Sequence, residues 1–88
     1  MFLIKAGTVI QVQVPKESRY YHTTGWMSYT TKEDKIYEKE EVFDFVALKN
    51  GRQMPDWIVR NIEEFNRIVI QRNGKFAMVY PSQIQYLD

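Results

Sequence analysis

Residues 67–80 read Arg67-Ile68-Val69-Ile70-Gln71-Arg72-Asn73-Gly74-Lys75-Phe76-Ala77-Met78-Val79-Tyr80. Two β-rich runs flank an Asn-Gly pair. Asn-Gly is the dipeptide favoured in a two-residue hairpin turn, because both central positions need φ > 0. A loop of that length sets the register, with Arg72 opposite Lys75, Ile70 opposite Ala77 and Ile68 opposite Val79. Those side chains share one face. Arg67, Val69, Gln71, Phe76, Met78 and Tyr80 share the other. Both faces carry apolar residues, so one is expected to meet the core and the other a helix or a partner. If that second face stays uncovered, Val69, Phe76 and Met78 are expected to bury against a second copy and give a homodimer.

Just upstream lies the one helix that the pattern supports. Pro55 suits a helix start, since its φ is fixed and its missing N–H is not needed there. Asp56 complements the helix dipole. Ile58, Ile62 and Phe65 recur at i, i+4 and i+7 beside Trp57, which predicts a helix over about 55–65 with both aromatics in the core. Asn50-Gly51 supplies a turn. Before it, Val42-Phe43-Asp44-Phe45-Val46-Ala47-Leu48 is largely apolar on both alternating faces, which predicts a central strand.

At the N-terminal side, Ile10, Val12 and Val14 alternate with Gln11 and Gln13, the signature of a half-buried strand. Pro15 is expected to end it and Pro15-Lys16-Glu17-Ser18 to turn. Phe2-Leu3-Ile4 is a short apolar lead-in, with Gly7 allowing a bend. Among the Tyr, Trp and Thr residues of 19–31, Thr24-Gly25 is the expected hairpin tip. Lys32-Glu33-Asp34-Lys35 is a charged connection, and Ser82–Leu87 a short final element after Pro81. The elements together predict a single α+β domain over residues 1–88. It is a bent antiparallel sheet or partly open small β-barrel of about five strands, with one helix packed across it.

Composition narrows the chemistry. The chain has 88 residues and a net charge of +1, which excludes a generally basic nucleic-acid coater and an acidic DNA mimic. There is no cysteine, so thiolate metal sites and thiol catalysis are excluded. No apolar run approaches the ~20 residues that span a bilayer, and the expectation is a cytoplasmic, non-membrane protein. His22 is the one histidine. Ser18, Ser28 and Asp44 lack any spacing that would make them its catalytic companions, so no enzyme and no cofactor are expected. Glu38, Glu40, Glu41 and Asp44 read as a charged strand end, since no cation-binding loop pattern surrounds them. Arg60, Arg67, Arg72 and Lys75 read as solubility charges that could extend a basic surface.

Aromatic residues make up 15% of the chain, more than so small a core needs. Arg19, Tyr20, Tyr21, His22, Trp26, Tyr29 and Lys32 are the expected partner-binding residues. Tyr, Trp and Arg are enriched in protein interfaces, and the same set can stack bases and hold phosphates. The expected role is a non-enzymatic binding protein that covers a surface of a larger host protein or nucleoprotein. A phage or mobile-element inhibitor of a host defence enzyme, anti-CRISPR activity included, is one concrete form. The alternative is a small nucleic-acid-binding barrel.

Two resemblances accompany this reading. Gly74–Leu87 looks like the close of a Src-homology-type small barrel, where a penultimate strand meets a Pro-Ser step (Pro81-Ser82), one helical turn and a last short strand. Lys5-Ala6-Gly7-Thr8-Val9-Ile10 resembles the opening strand of such barrels. The helix at Pro55 would be an insertion. The acidic loop and paired tryptophans of the peptide-binding members are absent, so proline-peptide recognition does not carry over. Residues 42–80 are similar in layout to small accessory proteins of tailed phages: a Val-rich strand, a helix start at Pro55-Asp56-Trp57, then a hairpin. That resemblance implies a phage origin, the host cytoplasm as location, and no chemistry.

Overall fold

The hairpin at 67–80 forms in the register that the Asn73-Gly74 turn dictates. A computed structural model describes residues 1–17 and 22–87, with side chains placed for 1–14 and 25–87. Its strands are β1 (Phe2–Ile4), β2 (Val9–Glu17), β3 (His22–Thr30), β4 (Lys35–Tyr37), β5 (Val42–Phe43), β6 (Ile68–Arg72), β7 (Lys75–Val79) and β8 (Gln85–Tyr86). Two helices, α1 (Phe45–Lys49) and α2 (Asp56–Glu63), lie between β5 and β6. Asn73 and Gly74 take φ of 53° and 76°, and Arg72 faces Lys75, Ile70 faces Ala77 and Ile68 faces Val79.

Two antiparallel sheets result, a five-stranded one in the order β3-β2-β7-β6-β5 and a three-stranded one in the order β4-β1-β8. The class is α+β, and neither sheet closes on itself. Both faces of the hairpin are covered, as its two apolar faces require. On one side Ile70, Ala77 and Val79 pack with Ile10, Val42, and Ile4 and Tyr37 of the small sheet. On the other, Val69 and Met78 pack with Phe43, Ile58 and Ile62, so α2 seals that face. The homodimer expected through Val69, Phe76 and Met78 therefore loses its premise. Val69 and Met78 are buried beneath α2, and Phe76 meets Trp57 edge-on.

Several local expectations are corrected. β2 does not end at Pro15 but runs to Glu17, paired with β3 from Val9↔Thr30 to Glu17↔His22. One residue beyond that ladder, the Thr31 amide donates to the Thr8 carbonyl at 2.9 Å. Antiparallel pairs alternate between exchanging hydrogen bonds and not, so the Pro15–Thr24 pair exchanges none. Pro15 directs its nitrogen to the other side, where β2 meets β7 only at Gln11 and Val12. The missing N–H breaks no ladder bond. Thr24-Gly25 likewise lies inside β3, not at a tip, and Pro15–Glu17 is strand, not turn; Ser18 lies outside the described residues.

The strand expected over 42–48 stops after Phe43, at the edge of the sheet rather than its centre. Asp44 is the cause. Its carboxylate accepts the Ala47 amide at 2.9 Å and starts α1, so local capping overrides the apolar alternation. Phe45 and Val46 are left exposed. Pro55 precedes α2 as its N-cap residue, in extended backbone, and the helix ends at Glu63. Asn66 then turns the chain through the left-handed region, with φ of 51°. Phe65 thus falls off the apolar stripe, and it is 56% exposed.

Candidate binding surface

β2 and β3 extend past β7 as a two-stranded arm. The side chains of Ile10, Val12 and Val14 project to one face of it, with Tyr29 opposite Ile10 and Met27 opposite Val12. This is the face that β4 borders. Tyr29, Lys35, Tyr37, Arg72 and Lys75 join the β2 residues around an open cleft of about 430 Å³. Among the described residues, three cations line it and no carboxylate does. Above and beside it, Met27 is 57% exposed and Tyr29 38%.

Arg72 is the fixed point of the cleft. Its Nε and Nη2 donate to the two oxygens of Glu41 at 2.9 and 3.0 Å, and its Nη2 donates to the Ile36 carbonyl. Its guanidinium carbon sits 4.2 Å from the centre of the Tyr37 ring. Hydrogen bonding to Arg72, and then to the Glu38 amide, pulls the Glu41 carboxyl down to about 2. Burial pushes the Tyr37 hydroxyl above its usual range, against the opposing charge of Arg72. The pair thus welds the small sheet to the hairpin and neutralises Arg72. Lys35 and Lys75 enter none of the ion pairs among the described residues.

The other face of the arm is built differently. Trp26 points toward α2, with its ring 6.0 Å from Trp57, which in turn meets Phe76 edge-on at 5.0 Å. Trp26 and Tyr29 therefore stand on opposite faces of β3. The expected binding set is not one patch: Trp26 packs beside the helix, Tyr29 borders the cleft, and Lys32 is exposed in the loop after β3. Arg19, Tyr20 and Tyr21 lie outside the described residues, as does the side chain of His22.

The remaining charged candidates separate as well. Asp44 caps α1 and Glu41 binds Arg72, and no group of three or more His, Asp or Glu side chains is placed to hold a metal among the described residues. Arg60 approaches Glu64 at 4.0 Å, and Arg67 reaches Gln11 and lies over Tyr80 on the sheet face away from the cleft. Of the expected basic surface, Arg72 and Lys75 alone meet at one site. Their common face was readable from the hairpin register. Lys35 and Tyr37 gave no such signal, because only the docking of the small sheet brings them there. Among the described residues no helix is long and apolar enough to cross a membrane. Searches of protein-family models, curated proteins and solved structures find no match to this chain.

Proposed function

We propose that this is a non-enzymatic binding protein that acts by covering a surface of a larger macromolecule, with the cleft face of the arm as its contact surface. One observation carries this reading: the two faces of the sheet are finished differently. On the face toward α2, Ile58 and Ile62 cover Val69 and Met78 and Trp26 leans on Trp57, whereas the cleft face keeps Met27 and Tyr29 exposed next to Lys35 and Lys75. An apolar centre with an aromatic anchor and a charged rim is the usual make-up of a protein interface. Among the described residues the cleft offers Tyr, Lys and Arg side chains and no nucleophile paired with a base, which supports binding over turnover. The charge of the rim favours an acidic protein surface. A narrower form of the reading is inhibition of a larger host enzyme by occlusion.

The test compares wild type with Lys35→Glu/Lys75→Glu and with Tyr29→Ala. Each serves as bait in cell lysate with and without nuclease, followed by titration of the recovered partner. Both variants are expected to weaken binding at least tenfold, and capture is expected to survive nuclease. Nuclease-sensitive capture with steep salt dependence would instead assign the cleft to nucleic acid. Undiminished capture by both variants removes the cleft from the binding surface.

A further inference from the structure

β3 is a long edge strand that lacks the usual edge protection. It runs nine residues, His22-Thr23-Thr24-Gly25-Trp26-Met27-Ser28-Tyr29-Thr30, and pairs only with β2 among the described residues. Proteins normally blunt such edges with Lys, Pro, a bulge or a covering segment. This edge contains no Lys, Arg, Asp, Glu or Pro, and its register with β2 runs through nine pairs without a slip. The alternation set by the Thr31–Thr8 bond turns the N–H and C=O groups of Thr24, Trp26, Ser28 and Thr30 outward. None of these outward groups on Trp26, Ser28 or Thr30 has a hydrogen-bond partner among the described residues.

We infer that β3 pairs antiparallel with β3 of a second copy about a two-fold axis at Met27, joining two five-stranded sheets into one of ten strands. The choice of a second copy rests on self-complementarity. An antiparallel pair centred on Met27 places Trp26 opposite Ser28 of the other copy and Thr24 opposite Thr30, both in hydrogen-bonding positions. Met27 meets its own mate, and Tyr29 lies across from Gly25. A glycine inside a strand weakens it, and a cross-strand aromatic is a known way to cover one. Apolar cross-strand pairs are favourable, and with no Lys, Arg, Asp or Glu on the strand the two copies do not repel. A two-fold axis normal to the sheet keeps both clefts on one side and both α2 helices on the other. The assembly therefore sets two clefts on one side, each with its Lys35, Arg72 and Lys75, while Met27 and Tyr29 join the seam between them.

The absence of native cysteine makes the test clean. Met27→Cys, treated with diamide, is expected to form a disulfide-linked dimer, because a pair that exchanges no hydrogen bonds brings its Cα atoms to about 4.5 Å. Phe65→Cys, exposed on another part of the molecule, is the collision control. Light scattering of wild type is expected to show about twice the 10.6 kDa chain mass. Ser28→Pro deletes an outward N–H that the monomer does not use, and Met27→Lys sets two cations across the axis; both are expected to be folded monomers by thermal melting and mass. A wild type that stays monomeric at about 1 mM, where even a weak millimolar association would be populated, overturns the proposal. So does equal cross-linking of Phe65→Cys, or a dimer that persists in Met27→Lys.

Discussion

At the scale of single residues, backbone conformation and one ion pair make the sharpest demands. Gly74 holds φ of 76°, and a Cβ added there would touch nothing within 4 Å. The cost of a side chain at 74 is thus conformational, not steric crowding by neighbours. Gly74→Val is expected to destabilise by about 1–3 kcal/mol, and Gly74→Asn by less, because Asn tolerates the left-handed region. The check is a pair of thermal melts; equal midpoints for wild type and Gly74→Val would contradict the turn. Glu41 makes a pH argument. Its carboxyl titrates near 2 in the fold against about 4.5 unperturbed. A depressed carboxyl stabilises the fold above its unfolded pKa and loses that contribution as pH falls from about 4.5 to 2. Glu41→Gln is therefore expected to be less stable than wild type at pH 7, by no more than about 1 kcal/mol because both partners keep solvent contact, and to equal it near pH 2. Urea unfolding at the two pH values measures this; a gap that widens in acid would reverse the sign.

At the scale of elements, α2 is the piece whose packing decides the most. Ile58 and Ile62 are nearly inaccessible to solvent and fill the space over Val69 and Met78. Removing three carbons from Ile62 leaves a cavity between helix and sheet, so Ile62→Ala is expected to cost about 2–5 kcal/mol. Phe65→Ala, two turns along the expected stripe but off the helix end, is expected to stay within about 0.5 kcal/mol of wild type. Denaturant midpoints of the two variants test the helix boundary directly, and comparable losses would place Phe65 in the core after all. The same element explains Trp26. Its ring leans on Trp57, so truncating it should lower stability first, unlike truncation of Tyr29 on the opposite face.

At the scale of the whole molecule, three layers stack: α2, the five-stranded sheet and the three-stranded sheet. What could be read from the sequence was whatever neighbouring residues control. The Asn73-Gly74 turn set the register of β6 and β7, and two apolar faces on that hairpin required cover on both sides. The helix around Ile58 and Ile62 and the α+β class followed from spacing alone, whereas the apolar lead-in Phe2–Ile4 became a strand only by pairing with β4 and β8. What only the tertiary structure decided came from contacts distant in sequence. Pro15 stays in a strand because its neighbour β7 ends before reaching it. The apolar run after Phe43 becomes helix because Asp44 captures the Ala47 amide, and no inner strand position competes for it. The cleft exists because Glu41 and Tyr37, some thirty residues before Arg72, dock the small sheet against the hairpin. Alternation along a strand says which residues share a face; it carries no information about which distant element will cover that face, because burial is non-directional and is settled only when all the layers meet.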